Sequence, residues 1–300
     1  MASPAQGDEA YGVQGPSGRL ELSRGRRPCH RALAAVAAAV LIIISAASEP
    51  VSPPPPTAVG GKSGGGAAEP QPVGDAGGWT LRFADEFNSD RLDLTKWRPN
   101  WLAGNDTDAT KPVNSGEVSC YDPSQVKEDG GVLTIQAVAR SCIDNGGRQY
   151  PYASGLIESY GHFTFIFGYI EARIFVTRGS GAPPSWPAFW ADGTGPWPTT
   201  GELDVMELLG GNFCYRFHSL LGSLGNCPNI MDNSGWHTFG ANWQKGVVTY
   251  YYDGVQVGSI YDGITHTPMY LIANLGVAAE SSSRIETPSM MQIDYIRVWQ

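Results

Sequence analysis

The sequence predicts an all-β chain, two antiparallel sheets stacked as a sandwich or jelly roll, on three observations. From Trp79 onward, short stretches alternate apolar and polar residues with the two-residue period of strands. The 300 residues include 38 Gly and 22 Pro, enough to turn the chain every few steps. No stretch holds a helical period long enough for a major helix.

Taken in order, residues 1–31 are polar and end in Arg24, Arg26, Arg27 and Arg31. Residues 32–48 follow as a small, aliphatic run, shorter than the ~20 residues that span a bilayer comfortably. That run reads as a signal-peptide core with small residues for cleavage at 45–48, or, given the long leader, as an uncleaved membrane anchor. Residues 49–78 shift to Pro, Gly, Ala and Ser, with Pro53 to Pro56 in a row, and read as a spacer that buries no core. Residues 79–300 form the predicted folded domain.

Within it, Trp79, Leu81 and Phe83 alternate, as do stretches in 132–140, 169–177, 213–221, 236–243 and 291–299. Asp253-Gly254 is a two-residue hairpin turn signal. The first and last strands are expected to pair and close the sandwich. No internal repeat is present, which disfavours propellers and solenoids.

The net charge is −9. Residues 1–31 carry five Arg against three acids, leaving 15 basic and 26 acidic residues, −11, in the remainder. Nucleic acid is excluded as a partner on that balance, because binding it takes basic surface; a neutral polymer is not. Setting aside Cys29, four cysteines remain, an even set suited to disulfides in an oxidising compartment. Four allow three connectivities. Cys120 and Cys142 stand almost symmetrically about Asp129-Gly130-Gly131, which favours their pairing and leaves Cys214 with Cys227. Zinc held by these cysteines with His218 and His237 is disfavoured, since no C-x-x-C spacing occurs.

Glu202, Asp204 and Glu207 stand within six residues of otherwise apolar, strand-like sequence. Alternation puts Glu202 and Asp204 on one face and Glu207 on the other, unless a β-bulge near Val205-Met206 adds one residue. With the bulge, the glutamates lie about four strand steps apart, ~13 Å between Cα atoms. Their side chains then close to the roughly 5–5.5 Å that a retaining glycosidase needs between nucleophile and acid. Folding back at Gly210-Gly211 sets His218 across from Asp204. Trp186, Trp190 and Trp197 crowd just ahead of the acids; indole faces stack on sugar rings, so Trp186 and Trp190 are expected to edge the cleft and Phe189 to be core.

This order of strand, tryptophans and acids resembles glycoside hydrolase family 16, and its bulged branch that includes the laminarinases, over about residues 79–300. The resemblance implies a jelly roll with a concave substrate cleft, Glu202 as nucleophile and Glu207 as acid/base. It further implies substrate contacts from Asn114, Glu117, Tyr121, Arg173, His218 and Asn274, and a structural role for Trp236-His237. It sets a calcium on the face away from the cleft, with Glu86 and Asp294 as expected ligands; the chemistry itself needs no cofactor.

The expected function is an exported or membrane-anchored, monomeric, retaining endo-β-1,3-glucanase. Open alternatives are an agarase-like enzyme, a transglycosylase and, in another class, a non-catalytic lectin-like glucan-binding module.

Overall fold

The structure, a computed structural model, describes residues 69–75, 77–176, 185–209, 212–230, 234–279 and 289–300. The predicted leader, the 32–48 run and the spacer up to residue 68 lie outside the described residues. Among the described residues, no helix is long and apolar enough to cross a membrane.

Two sheets stack face to face, as the alternation predicts. The larger has ten strands, in the order Val255–Ile260, Val247–Tyr252, Gly235–Gln244, Gly168–Val176, Ser289–Trp299, Val132–Val138, Tyr152–Ser154 and Ser119–Tyr121, with Leu81–Asp85 and Val126–Asp129 joined alongside. The smaller has six: Gly222–Asn226, Asn212–Ser219, Glu202–Leu209, Ser185–Gly193, Met269–Val277 and Leu156–Glu158. Leu81 pairs with Trp299, so the first and last strands do close the sandwich. Five strands are only two or three residues long, too short for alternation to reveal them. One of these, Ser119–Tyr121, runs parallel to Tyr152–Ser154 in an otherwise antiparallel fold.

The core lies between the sheets. Ile170, Ala172, Ile174 and Val176 from the larger sheet meet a common cluster with Phe189, Ala191, Leu203, Leu208, Phe213 and Phe217 from the smaller. Alternation therefore commits the neighbours of these residues to the two outer faces. Both expected disulfides are present, Cys120–Cys142 and Cys214–Cys227. The hairpin turns at Gly130-Gly131 as expected, with Val126 opposite Ile135, but the strands carrying Cys120 and Cys142 do not pair with each other.

The expected spacer does not run free to Gly78. Residues 70–75 lie as a strap on the outer face of the larger sheet. Val73 N–H donates to Glu171 at 2.8 Å, Trp299 Nε1 to the Pro70 carbonyl at 2.7 Å, and Asn242 Nδ2 to Asp75 at 3.1 Å. Gly74 is required there, because a Cβ would collide with the rings of Tyr169 and Tyr251.

Candidate active site

Strand register builds the site. Across the smaller sheet, Glu202 stands between Asp192 and His218, Asp204 between Trp190 and Arg216, and Glu207 between Ala188 and Cys214. The register slips between Asp204 and Glu207, and Val205 and Met206 both join the core. This is the bulge the spacing calls for, and it returns Glu207 to the face of Glu202 and Asp204. Extending the rows through Met269–Val277 adds Tyr270, Ile272 and Asn274.

His218 pairs with Glu202 across the strands, not with Asp204 as the sequence suggests. The ladder closes with Leu209 opposite Asn212, half a residue earlier than assumed, and the bulge shifts it again. The imidazole still reaches Asp204, with Nε2 3.0 Å from Oδ2 but out of line for a hydrogen bond. Arg216 occupies the place opposite Asp204 and sets Nε 3.6 Å from Glu207 Oε2.

The acids sit in an open pocket lined by Val113, Asn114, Glu117, Trp186, Ala188, Trp190, Glu202, Asp204, Glu207 and Asn274. Trp197 Nε1 donates a short hydrogen bond to Glu202 Oε2, and Trp186 Nε1 donates to Glu207 Oε1 at 3.2 Å. Gly201 precedes the nucleophile candidate at φ +84°, where a Cβ would strike Thr265.

Asn114, Trp186 and Asn274 line the pocket as expected. Trp190 also lines it but is only 5% exposed, tilted against Trp101, so it forms floor more than edge; Phe189 is core. Tyr121 is fully buried and holds others in place. A directed chain runs from Trp190 Nε1 to Asn274 Oδ1 at 2.8 Å, from Asn274 Nδ2 to Tyr121 Oη at 2.8 Å, and from Tyr121 to Glu117, which also takes Asn114 Nδ2 at 3.2 Å.

Arg173 does not belong to the cleft. Its neighbours Ala172 and Ile174 face the core of the larger sheet, which turns Arg173 to that sheet's outer face, on the far side of the sandwich from the acids. There it donates to Asp294 at 2.8 Å and lies over the Trp236 ring. His237 pairs with Asp253 at 2.8 Å.

The expected calcium ligands do not fit a calcium ion. Glu86 takes two hydrogen bonds from Arg297, at 2.8 and 2.6 Å, and Asp294 takes Arg173, so each carboxylate is already matched by a guanidinium. Among the described residues, Glu202, Asp204 and His218 are the trio of acidic or imidazole donors that comes within 4.8 Å. Their convergence is explained by the bulged strand and its neighbour, and Trp197 already occupies one Glu202 oxygen.

Burial dominates the electrostatics. It raises Glu207 to about 8, with Asp204 adding to the rise and His218, Arg216 and Trp186 opposing it. Burial followed by the charge of Asp204 pushes Glu202 up, and burial raises Asp204 to about 7. Asp192, raised to about 7 by burial, accepts from Tyr270 at 3.2 Å. Glu158, raised to about 8, accepts from the N–H of Leu102, a non-glycine residue held at φ +48° to present it. Glu117 is raised to about 7. Four carboxyls, Glu117, Glu202, Asp204 and Glu207, thus line the pocket, and Asp192 and Glu158 are buried on neighbouring strands. Arg216 and Asp192 escaped the sequence reading, although each has the parity of a recognised neighbour, His218 and Trp190.

The chain is similar to known proteins over about three quarters of its length. It is 30% identical over 243 residues to an endo-1,3-1,4-beta-glycanase, ExsH, of Rhizobium meliloti, covering 72% of this chain and 51% of that one. It is 27% identical to glucan endo-1,3-beta-glucosidase A1 of Niallia circulans, covering 74% of this chain and 38% of that one. The chain therefore spans about half or less of the length of these relatives. The crystal structure of the laminarinase catalytic domain of Thermotoga maritima superposes with a TM-score of 0.62 at 26% identity, covering 74% of this chain and 98% of that domain. The family model for glycosyl hydrolases family 16 matches residues 117–297, a span that holds all three clustered acids. On this match, with a two-sheet fold that carries those acids on one face, the chain belongs to glycosyl hydrolases family 16.

Proposed function

We propose that the protein is a retaining endo-β-1,3-glucanase acting on neutral, laminarin-type glucan, exported or anchored with this domain outside the cell and working as a monomer. The observation that carries the reading is Glu202 and Glu207 on one face of one pocket, each steadied by a tryptophan N–H. Glucan-active relatives support the linkage, two disulfides suit an oxidising compartment, and the net negative charge of the chain, −9, disfavours anionic polymers.

In this reading Glu202 attacks the anomeric carbon while the Glu207 proton passes to the departing glycosidic oxygen. Water then attacks the glycosyl ester, giving its proton to the Glu207 carboxylate as the bond to Glu202 breaks. Trp197 N–H favours the ionised form of Glu202, and Asp204 takes up the proton that the crowded pair retains. Trp186 offers a sugar-stacking ring beside the acid. Asn114, Glu117 and Asn274 offer hydrogen bonds to sugar hydroxyls, held in place by Tyr121.

Incubation with laminarin, lichenan and agarose, followed by sizing of products and proton NMR of the first anomer released, tests the reading. Short laminari-oligosaccharides released as the β-anomer are expected. Inert laminarin, or initial α-product, overturns it.

A further inference from the structure

Arg216 has no counterpart in the roles assigned so far, and its surroundings are unusual. It stands opposite Asp204, with its guanidinium between Glu207, 3.6 Å from Nε, and the Cys214–Cys227 disulfide, where Nη2 lies 4.0 Å from Cys227 Sγ. Gly225, its partner on the next strand, leaves room for its stem, since a Cβ there would press on Arg216 Cγ at 2.8 Å.

Glu207 Oε2 is buried and has no hydrogen-bond partner, while Oε1 accepts from Trp186. That division marks Oε1 as the carbonyl oxygen and Oε2 as the oxygen that carries the proton. A distance of 3.6 Å exceeds a hydrogen bond, as suits a cation, with donors only, beside a neutral O–H. Once Oε2 has lost its proton it becomes an acceptor within easy reach of the guanidinium.

We propose that Arg216 is a positioning residue for proton transfer, stabilising the carboxylate left on Glu207 when its Oε2 proton moves to the glycosidic oxygen. The interaction strengthens as charge develops, so it lowers the barrier instead of merely tightening binding. The groups facing Glu207 are Glu202 and Asp204 on its own strand, Trp186 and Asp192 on one neighbour, Arg216 and His218 on the other, Asn274 in its row, and Glu117 across the pocket. Arg216 is the permanent cation of this set. The inference rests on the glucanase reading for its kinetics, though not for its titration.

The test uses Arg216→Gln and Arg216→Lys in the full chain, with aryl β-laminaribiosides as probes. For Arg216→Gln, kcat/KM is expected to fall about tenfold or more with phenol, which needs a proton to leave, and less than about threefold with 2,4-dinitrophenol, which does not. The alkaline limb of kcat/KM should move up by at least about half a pH unit, and Arg216→Lys should restore much of both. Equal losses on the two probes with an unmoved limb would overturn the proposal.

Titration of Glu207 by carbon-13 NMR, assigned with Glu207→Gln, decides the matter without substrate. A higher midpoint in Arg216→Gln than in the wild type or Arg216→Lys supports the proposal, and a midpoint unchanged in Arg216→Gln overturns it. Wild-type protein inert to both glycosides would count against the glucanase reading alone.

Discussion

Val205 and Met206 are consecutive in the chain and both point into the core, which a regular strand forbids. The extra residue is what brings Glu207 onto the cleft. Deleting Val205 removes the bulge and leaves a regular strand, in which Glu202, Asp204 and Glu207 still share the cleft face, about four strand steps separate the two glutamates, and Met206 and Leu208 stay inward. Reducing-sugar release from laminarin should therefore persist, whereas Tm should fall because the core loses the fully buried Val205 side chain.

Glu202→Gln and Glu207→Gln should fail differently. Loss of the nucleophile should abolish turnover on every substrate. Loss of the acid should cost about 10²–10⁴ on laminarin, yet spare the first step with a dinitrophenyl glycoside, visible as a burst of dinitrophenol. Identical losses on that glycoside would reverse or dissolve the assignment.

Activity should fall on the alkaline side as Glu207, held at about 8 by burial and Asp204, loses its proton. On the acid side it should fall as the Glu202–Asp204 pair gains a second proton; burial raises both members, so that limb should lie above the ordinary range of carboxyls. A kcat/KM profile from pH 4 to 10 checks both limbs.

Stability should move in the same window with its own sign. Glu158 rises from 4.5 to about 8 and Glu117 from 4.5 to about 7 on folding, so the folded state holds protons that the unfolded chain releases. Their contribution is full below about pH 4.5 and is lost as pH rises through 7 to 8. Thermal unfolding should show Tm declining over that interval. Glu158→Gln, which has no proton to lose, should flatten the decline, by roughly 2–4 °C for each kcal/mol recovered.

Cys214–Cys227 closes a loop of 13 residues beside the acids. Replacing both cysteines with Ala should cost about 3 kcal/mol by the chain-entropy relation for loops of that size, measurable by urea unfolding.

Much of this was legible in the sequence because its signals are local. Alternation around 169–176 and 291–299 fixed which faces are apolar, and the six-residue spacing of the acids required a bulge where one is found. What escaped depends on partners distant in sequence. Arg173 has the right neighbours along the chain but lies on the wrong sheet, and Glu86 and Asp294 found arginines that a termini-based resemblance does not register. The rung of His218 turned on half a residue of hairpin closure and on the further shift at the bulge. Trp101, which tilts against Trp190, comes from a segment with no periodicity to announce it.

The strap at Pro70–Asp75 fixes where the polypeptide enters the domain. It crosses the broad sheet, behind the sandwich, and is pinned there by Glu171, Trp299 and Asn242. The approach to the first strand is thus made across the face opposite the acids, and the cleft is left clear of the chain's own entry.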